Sequence, residues 1–182
     1  HCYLLESASQ TEVWGRYSFL GYEPDMEITC TDGCMKIRRT EVGNDEVVTK
    51  QVAHPGDTLR EILKEYKSPV MEEMPPFTGG MVGYFSYDYI KYSEPKLKLG
   101  EHEDPDFRDM DLMLFDQVIA FDHYRQKVLL ITGVMLDDLE KSYQKAEKKL
   151  QEMVDLIRDG EKEEFPSLKL ASEIKPQFPK EK

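Results

Sequence analysis

"DLMLFDQVIAFDHYRQKVLLITGV", residues 111–134, is the stretch that decides the fold. Two apolar runs rich in large and β-branched residues face each other across the polar segment "DHYRQK". That pattern predicts paired strands rather than a helix. Both runs are nearly continuous, so the expectation is strands covered on both faces.

Working outward, the same signal recurs upstream. "MEITC" (26–30) and "CMKIRR" (34–39) alternate apolar with polar around Thr31-Asp32-Gly33, a hairpin signature. After a turn at "VGND", "EVVTKQV" (46–52) adds a third strand to this meander. Residues 3–6 and "YSFLGY" (17–22) read as two further strands joined by the loop "TEVWGR", the second broken by Glu23-Pro24. "MVGYFSYDYIKY" (81–92), after the rigid loop "MPPFTGG", starts as a strand and turns helical near Asp88.

Two helices complete the set. Leu59, Ile62, Leu63 and Tyr66 form a stripe in "TLREILKEY", with Asp57 or Thr58 as the expected cap. A second helix runs from Asp137 or Asp138 to about Gly160, with Leu139, Tyr143, Ala146, Leu150, Met153, Val154 and Ile157 on one stripe. Residues 93–111 read as a long exposed loop. From Glu161 the pattern dissolves. The predicted fold is therefore α+β: a mostly antiparallel, β-sandwich-like meander with two main helices over residues 1–160. Residues 161–182 read as a linker leading out of that domain.

Composition limits function. The 182 residues carry a net charge of −12, which leaves no basic face for nucleic acid or anionic lipid. No apolar run approaches the roughly 18–20 residues of a membrane span. The chain opens at His1-Cys2 without a Met, so it is expected to be a piece of something longer. Cys2, Cys30 and Cys34 are an odd set without C-x-x-C spacing, read as reduced thiols of a cytoplasmic protein rather than a disulfide or zinc site. His1, His54, His102 and His123 are scattered and are expected at the surface. None of the nucleotide-binding, metalloprotease or hydrolase motifs occurs. "GGMVGY" lacks the Lys-Ser of a phosphate loop and reads as a strand packed too close for side chains. No catalytic or metal-ligating residue is assigned.

The first strand, "YLLES" (3–7), is different. Alternation puts Leu4 and Glu6 on one face and Tyr3, Leu5 and Ser7 on the other. With Leu4 in the core, Glu6 stands at its margin and needs a partner. Two readings stay open. Glu6 could pair with Arg16 and pin two strands together. Alternatively, Glu6 could accept from the ammonium of a free amino acid while Ser7 and Arg16 serve its carboxylate.

The ordered set "LLES", "WGRYSFLGYEP", "PPFTGGMVGYFSYD" and "DLMLFDQVIAFDH…VLLI" resembles the N-terminal domain of anthranilate synthase component I. It is also similar to the N-terminal domain of the related aminodeoxychorismate synthase component I. The resemblance implies an intact enzyme, a lyase making anthranilate and pyruvate from chorismate in tryptophan biosynthesis. It implies ammonia delivered by a glutamine amidotransferase subunit, and Mg²⁺ held by a C-terminal chorismate-binding domain absent from this chain. For this segment it implies a regulatory and structural role, with Leu5, Glu6 and Ser7 contacting tryptophan as feedback inhibitor. Arg16 is the expected basic partner by proximity. The remaining alternative is a stand-alone, non-catalytic binding module.

Overall fold

A computed structural model describes residues 1–7, 15–41, 44–94, 96–97 and 107–161. Nine strands form two antiparallel sheets. The four-stranded sheet has the order β1-β2-β8-β9 and the five-stranded sheet the order β5-β4-β3-β7-β6. The strands are β1 (Cys2–Leu5), β2 (Tyr17–Tyr22), β3 (Met26–Thr31), β4 (Cys34–Glu41) and β5 (Asn44–Gln51). After helix α1 (Pro55–Glu65) come β6 (Gly80–Phe85), a 3₁₀ turn (Tyr87–Tyr92), β7 (Met110–Phe115), β8 (Gln117–Asp122) and β9 (Lys127–Thr132). Helix α2 (Leu139–Asp159) closes the described chain. The α+β reading and the β3-β4-β5 meander hold.

The first of the two apolar runs behaves differently from expectation. It is not one strand but two, divided at Asp116: β7 joins the five-stranded sheet and β8 the four-stranded one. Only β8 pairs with β9, with Val118 opposite Ile131 and Asp122 opposite Lys127. At Asp116 the chain leaves one sheet for the other, and the Asp116 C=O accepts from Gly133 N–H at 2.9 Å. β8 is covered on both faces, but β9 starts exposed, at Lys127 and Val128.

The five-stranded sheet has its own core. Met26, Ile28 and Cys30 of β3, Met35 and Ile37 of β4, and Met110, Leu112 and Leu114 of β7 are buried together with Leu59 and Ile62 of α1. Their alternate spacing along each strand presents one face to the apolar stripe of α1. The β3–β4 connection is tight because Asp32 (φ 48°) and Gly33 (φ 75°) both take positive φ, the type I′ geometry that Asp-Gly favours. Helix α1 starts earlier than expected: Pro55 takes the first helical position, with its fixed φ and missing N–H, and His54 precedes it without a side-chain cap. Asp57 lies inside the first turn and pairs with Arg60. The four-stranded sheet has a second, smaller core of Val118, Ala120 and Ile131, against which Phe19, Leu129, Met74 and Phe77 pack.

Helix α2 follows its predicted bounds, capped by the Asp138 carboxylate, which accepts from Lys141 N–H. Of its stripe only Ala146 and Met153 are fully buried; Leu139, Tyr143, Val154 and Ile157 are exposed. The loop expected over 93–111 lies largely outside the described residues, but its end is fixed. Asp109 is fully buried and accepts from Tyr92 Oη (2.7 Å), Asp32 N (2.8 Å) and Lys91 Nζ (2.8 Å). The β3–β4 turn is thereby tied to the 3₁₀ segment. The linker reading for 161–182 falls almost wholly outside the described residues.

The "GGMVGY" glycines act as packing residues, as their reading held. Gly83, opposite Leu112 in the β6–β7 ladder, has φ 156°, and a Cβ there would collide with the Asp111 carbonyl and lie 2.8 Å from Leu112 Cα. Both obstacles are backbone and cannot rotate away. Gly83→Ala is therefore expected to lose about 2–4 kcal/mol of stability, read as a lowered midpoint in urea unfolding with unchanged slope.

Candidate functional site

The first strand delivers its carboxylate to a place that three strands share. β1 pairs with β2 so that Leu5 faces Phe19, and β2 pairs with β8 so that Tyr17 faces Asp122. The end of β1, the start of β2 and the end of β8 thus meet at one edge. Leu5, Glu6, Ser7 and Arg16, the residues singled out from sequence, all lie there.

The expected facing of β1 is corrected. Tyr3, not Leu4, is the core residue: Tyr3 is buried while Leu4 is 56% exposed. The Tyr3 ring lies edge-on to Phe115 (4.7 Å between centroids) and Phe77 (6.2 Å), over Gly21, where a larger residue would displace it. Burial pushes its phenol up to about 12.

The expected Glu6–Arg16 pin is also corrected. Arg16 binds Asp122 in bidentate fashion, Nε to Oδ1 at 3.0 Å and Nη2 to Oδ2 at 2.6 Å. Its guanidinium also lies 4.8 Å from the Tyr17 ring centroid and 5.7 Å from that of Tyr124. The paired hydrogen bonds from Arg16 hold the Asp122 carboxyl down at about 2, against the opposing effect of its burial. Glu6 and Ser7 are exposed, and Glu6 has no hydrogen bond or ion pair with any described residue. Beside them run stacked and edge-on aromatics: Tyr17 on Phe19 (5.8 Å) and Phe19 on Phe77 (5.7 Å).

Sequence reading missed three members of this edge. Asp122 orients Arg16, Tyr124 flanks it, and His123 Nε2 lies 2.7 Å from Ser18 Oγ. The one available signal was a charged Asp122 closing an apolar strand. The three described histidines are exposed. Cys30 is buried in the core and Cys34 is exposed on the neighbouring strand.

A second polar cluster lies at the far end of β2. Asp25 follows β2, Asp116 separates β7 from β8, and Lys149 of α2 reaches both, at 3.5 Å and 2.8 Å. Burial raises Asp25 to about 7, helped by a hydrogen bond shared with Asp116 and opposed by Lys149. The Asp25 Oδ2 atom is buried without a hydrogen-bond partner among the described residues, which disfavours the charged carboxylate. Burial disfavours the charge on Lys149, but its hydrogen bond to Asp116 wins and its pKa rises. An open cavity of about 310 Å³ adjoins this cluster. Leu5, Glu6, Ser7 and Arg16 do not line it. Among the described residues no helix is long and apolar enough to cross a membrane.

Comparison with known proteins places this arrangement in a class. The family model described as "chorismate binding enzyme" matches residues 1–182, and the chain belongs to that family. Relatives that it matches include anthranilate synthase component 1 and alpha-subunit chains. It is 34% identical to anthranilate synthase component 1 of Acinetobacter calcoaceticus over 159 residues, covering 85% of this chain and 31% of that protein. It is 29% identical to the chloroplastic anthranilate synthase alpha subunit 2 of Arabidopsis thaliana, covering 93% of this chain and 28% of that one. The crystal structure of anthranilate synthase component I from Streptococcus pneumoniae TIGR4 superposes with a TM-score of 0.60 at 28% identity, covering 85% of this chain and 31% of that chain. The chain thus spans about a third of the length of the relatives it matches.

Two variants probe the electrostatics. The folded-state carboxyl of Asp122 is depressed, so its stabilising effect is present above about pH 4 and is lost as the pH falls towards about 2. Arg16→Gln is expected to lower stability at pH 7 and to weaken the acid-induced loss in that window, measured by urea unfolding at several pH values. Asp25 has the opposite sign. Its folded-state pKa is raised, so its contribution is fully present below about pH 4 and is lost as the pH rises to about 7. Asp116 and Lys149 face it directly, and Tyr66, just after α1, senses its charge. Asp25→Asn should flatten stability across that window, checked by thermal unfolding between pH 5 and 8.

Proposed function

We propose that the chain is the N-terminal segment of an anthranilate synthase component I, where it serves as regulatory and structural domain and reads tryptophan as feedback inhibitor. Family membership and the 34% identity to a component 1 protein support the enzyme assignment. In this proposal the intact protein converts chorismate to anthranilate and pyruvate. Its own downstream chorismate-binding segment carries the chemistry, and an amidotransferase partner supplies ammonia from glutamine, in the cytoplasm. Mg²⁺ belongs to that downstream segment. Among the described residues no three His, Cys, Asp or Glu side chains converge to hold a metal ion, and no step is assigned to it here.

The observation that carries the regulatory part is Glu6. An exposed carboxylate with no partner among the described residues stands beside Leu5, Phe19 and Tyr17, at an edge where Asp122 fixes a guanidinium. A zwitterion with an aromatic side chain finds there an acceptor for its ammonium and an apolar surface for its ring. Ser7 and Arg16 complete the contacts to its carboxylate. Because Arg16 already gives two hydrogen bonds to Asp122, it acts in this scheme mainly as a fixed positive field. Inhibition follows if tryptophan binds one arrangement of the intact enzyme better than another, for which a coupling of about 1–3 kcal/mol suffices.

The test is tryptophan titration of the protein at its natural length. Glu6→Ala and Ser7→Ala are each expected to raise the inhibitory concentration by about tenfold or more while turnover stays within about twofold, the loss of one charge-assisted hydrogen bond. Inhibition of Glu6→Ala at the wild-type tryptophan concentration would refute the regulatory assignment. Absence of anthranilate among the products would refute the enzymatic one.

A further inference from the structure

The 310 Å³ cavity beside Asp25 and Asp116 has no part in the tryptophan-reading edge. It lies beyond the opposite end of β2, roughly 17 Å of strand from Tyr17. Its walls come from the C-terminal end of α1, β4 at Arg39 and Thr40, the Gly79-Gly80 entry to β6, the residues after β9 and Lys145 of α2, with Asp25 and the end of β7 at Leu114 and Phe115 beneath them.

The charges lining it are balanced, three cations (Arg39, Lys67 and Lys145) against three acids (Asp25, Glu65 and Asp116), in a chain that is strongly acidic as a whole. In a protein of net charge −12, Arg39, Lys67 and Lys145 all line one cavity. Lys67 and Lys145 form no ion pair with a described residue, and Arg39 reaches Glu65 only at 4.0 Å. The acids at the floor are partly compensated, since one lysine, Lys149, faces both. Asp116 is bound by Lys149 at 2.8 Å, and burial raises the Asp25 carboxyl well above the usual carboxylate range. Tyr66, Val134 and Met135 add an apolar wall. The volume is at the lower end of the range that holds small organic ligands, about 300–1,000 Å³.

We propose that this cavity is a second ligand site, which takes a small organic carboxylate with its anionic end between Arg39 and Lys145 and its apolar body against Tyr66, Val134 and Met135. Two separated cations in a surface cavity read an anion with charge-assisted hydrogen bonds, and Arg39 can offer a two-pronged one. An ammonium ligand would face Arg39, Lys67 and Lys145 at the same opening.

Benzoate serves as the probe, with benzamide, benzylamine and inorganic phosphate beside it, titrated by calorimetry into the natural-length protein. Saturable benzoate binding is expected, with benzamide, benzylamine and phosphate at least about tenfold weaker, the loss expected when the charge or the apolar body is missing. The double variant Arg39→Gln/Lys145→Gln should weaken benzoate by about tenfold or more, while Glu6→Ala leaves it unchanged. That last control separates this site from the tryptophan edge. Lys145→Gln alone, on the exposed face of α2, gives a smaller loss in the same direction if the double variant unfolds. The site is refuted by absence of saturable benzoate binding, by binding that both variants leave intact, or by equal affinity for benzamide, benzylamine or phosphate.

Discussion

Among the described residues the chain passes between the two sheets twice, and each passage carries an aspartate held by the same lysine. Asp25 lies where β2 of the four-stranded sheet gives way to β3 of the five-stranded one; Asp116 lies where β7 returns to β8. The backbone at these points is fully engaged. Asp25 N–H donates to Leu114 C=O, Thr40 N–H donates to Asp25 C=O, and Gly133 N–H donates to Asp116 C=O. Lys149 then brings α2 onto both. Removing a partner from such a buried group leaves charge without compensation, which costs more than the group's presence gains. The two sheets, each with its own hydrophobic cluster, are thus joined by this polar cluster together with the packing of Tyr3 of β1 on Phe115 of β7.

That joint explains which parts of the fold were readable in the sequence. Alternation located β3 and β4 correctly, because each buries one face and the period of two survives. The I′ turn at Asp32-Gly33 was legible because only a few residue pairs tolerate two positive φ values in succession. The split at Asp116 was not legible. One aspartate inside an apolar run does not announce a change of sheet, and the lysine that accounts for it is 33 positions away. The start of α1 was misread for a local reason: Asp57 and Thr58 are good caps, but Pro55 fits the first turn still better.

The candidate edge was half legible. Leu5, Glu6 and Ser7 stood out because an acid follows an apolar strand, and their shared location with Arg16 follows from the β1–β2 register. The partner of Arg16 was hidden, since Asp122 lies 106 positions downstream and only strand pairing brings it near. The facing of β1 was inverted for a packing reason. At an edge strand of the four-stranded sheet, the large Tyr3 ring finds Phe77 and Phe115 on one side, whereas Leu4 finds nothing comparable. The consequence favours recognition: with Arg16 occupied by Asp122, the Glu6 carboxylate keeps its full capacity to accept.

The two polar clusters act on stability from opposite directions. The Arg16–Asp122 pair holds its charge down to about pH 2 and weakens only in strong acid. The Asp25–Asp116–Lys149 joint is strongest when Asp25 is protonated and weakens as the pH approaches about 7. For these groups the two windows leave a maximum near pH 4, on the acidic side of neutrality, and a falling slope at neutral pH. At neutral pH, therefore, the proton on Asp25 is the part of the joint most easily removed.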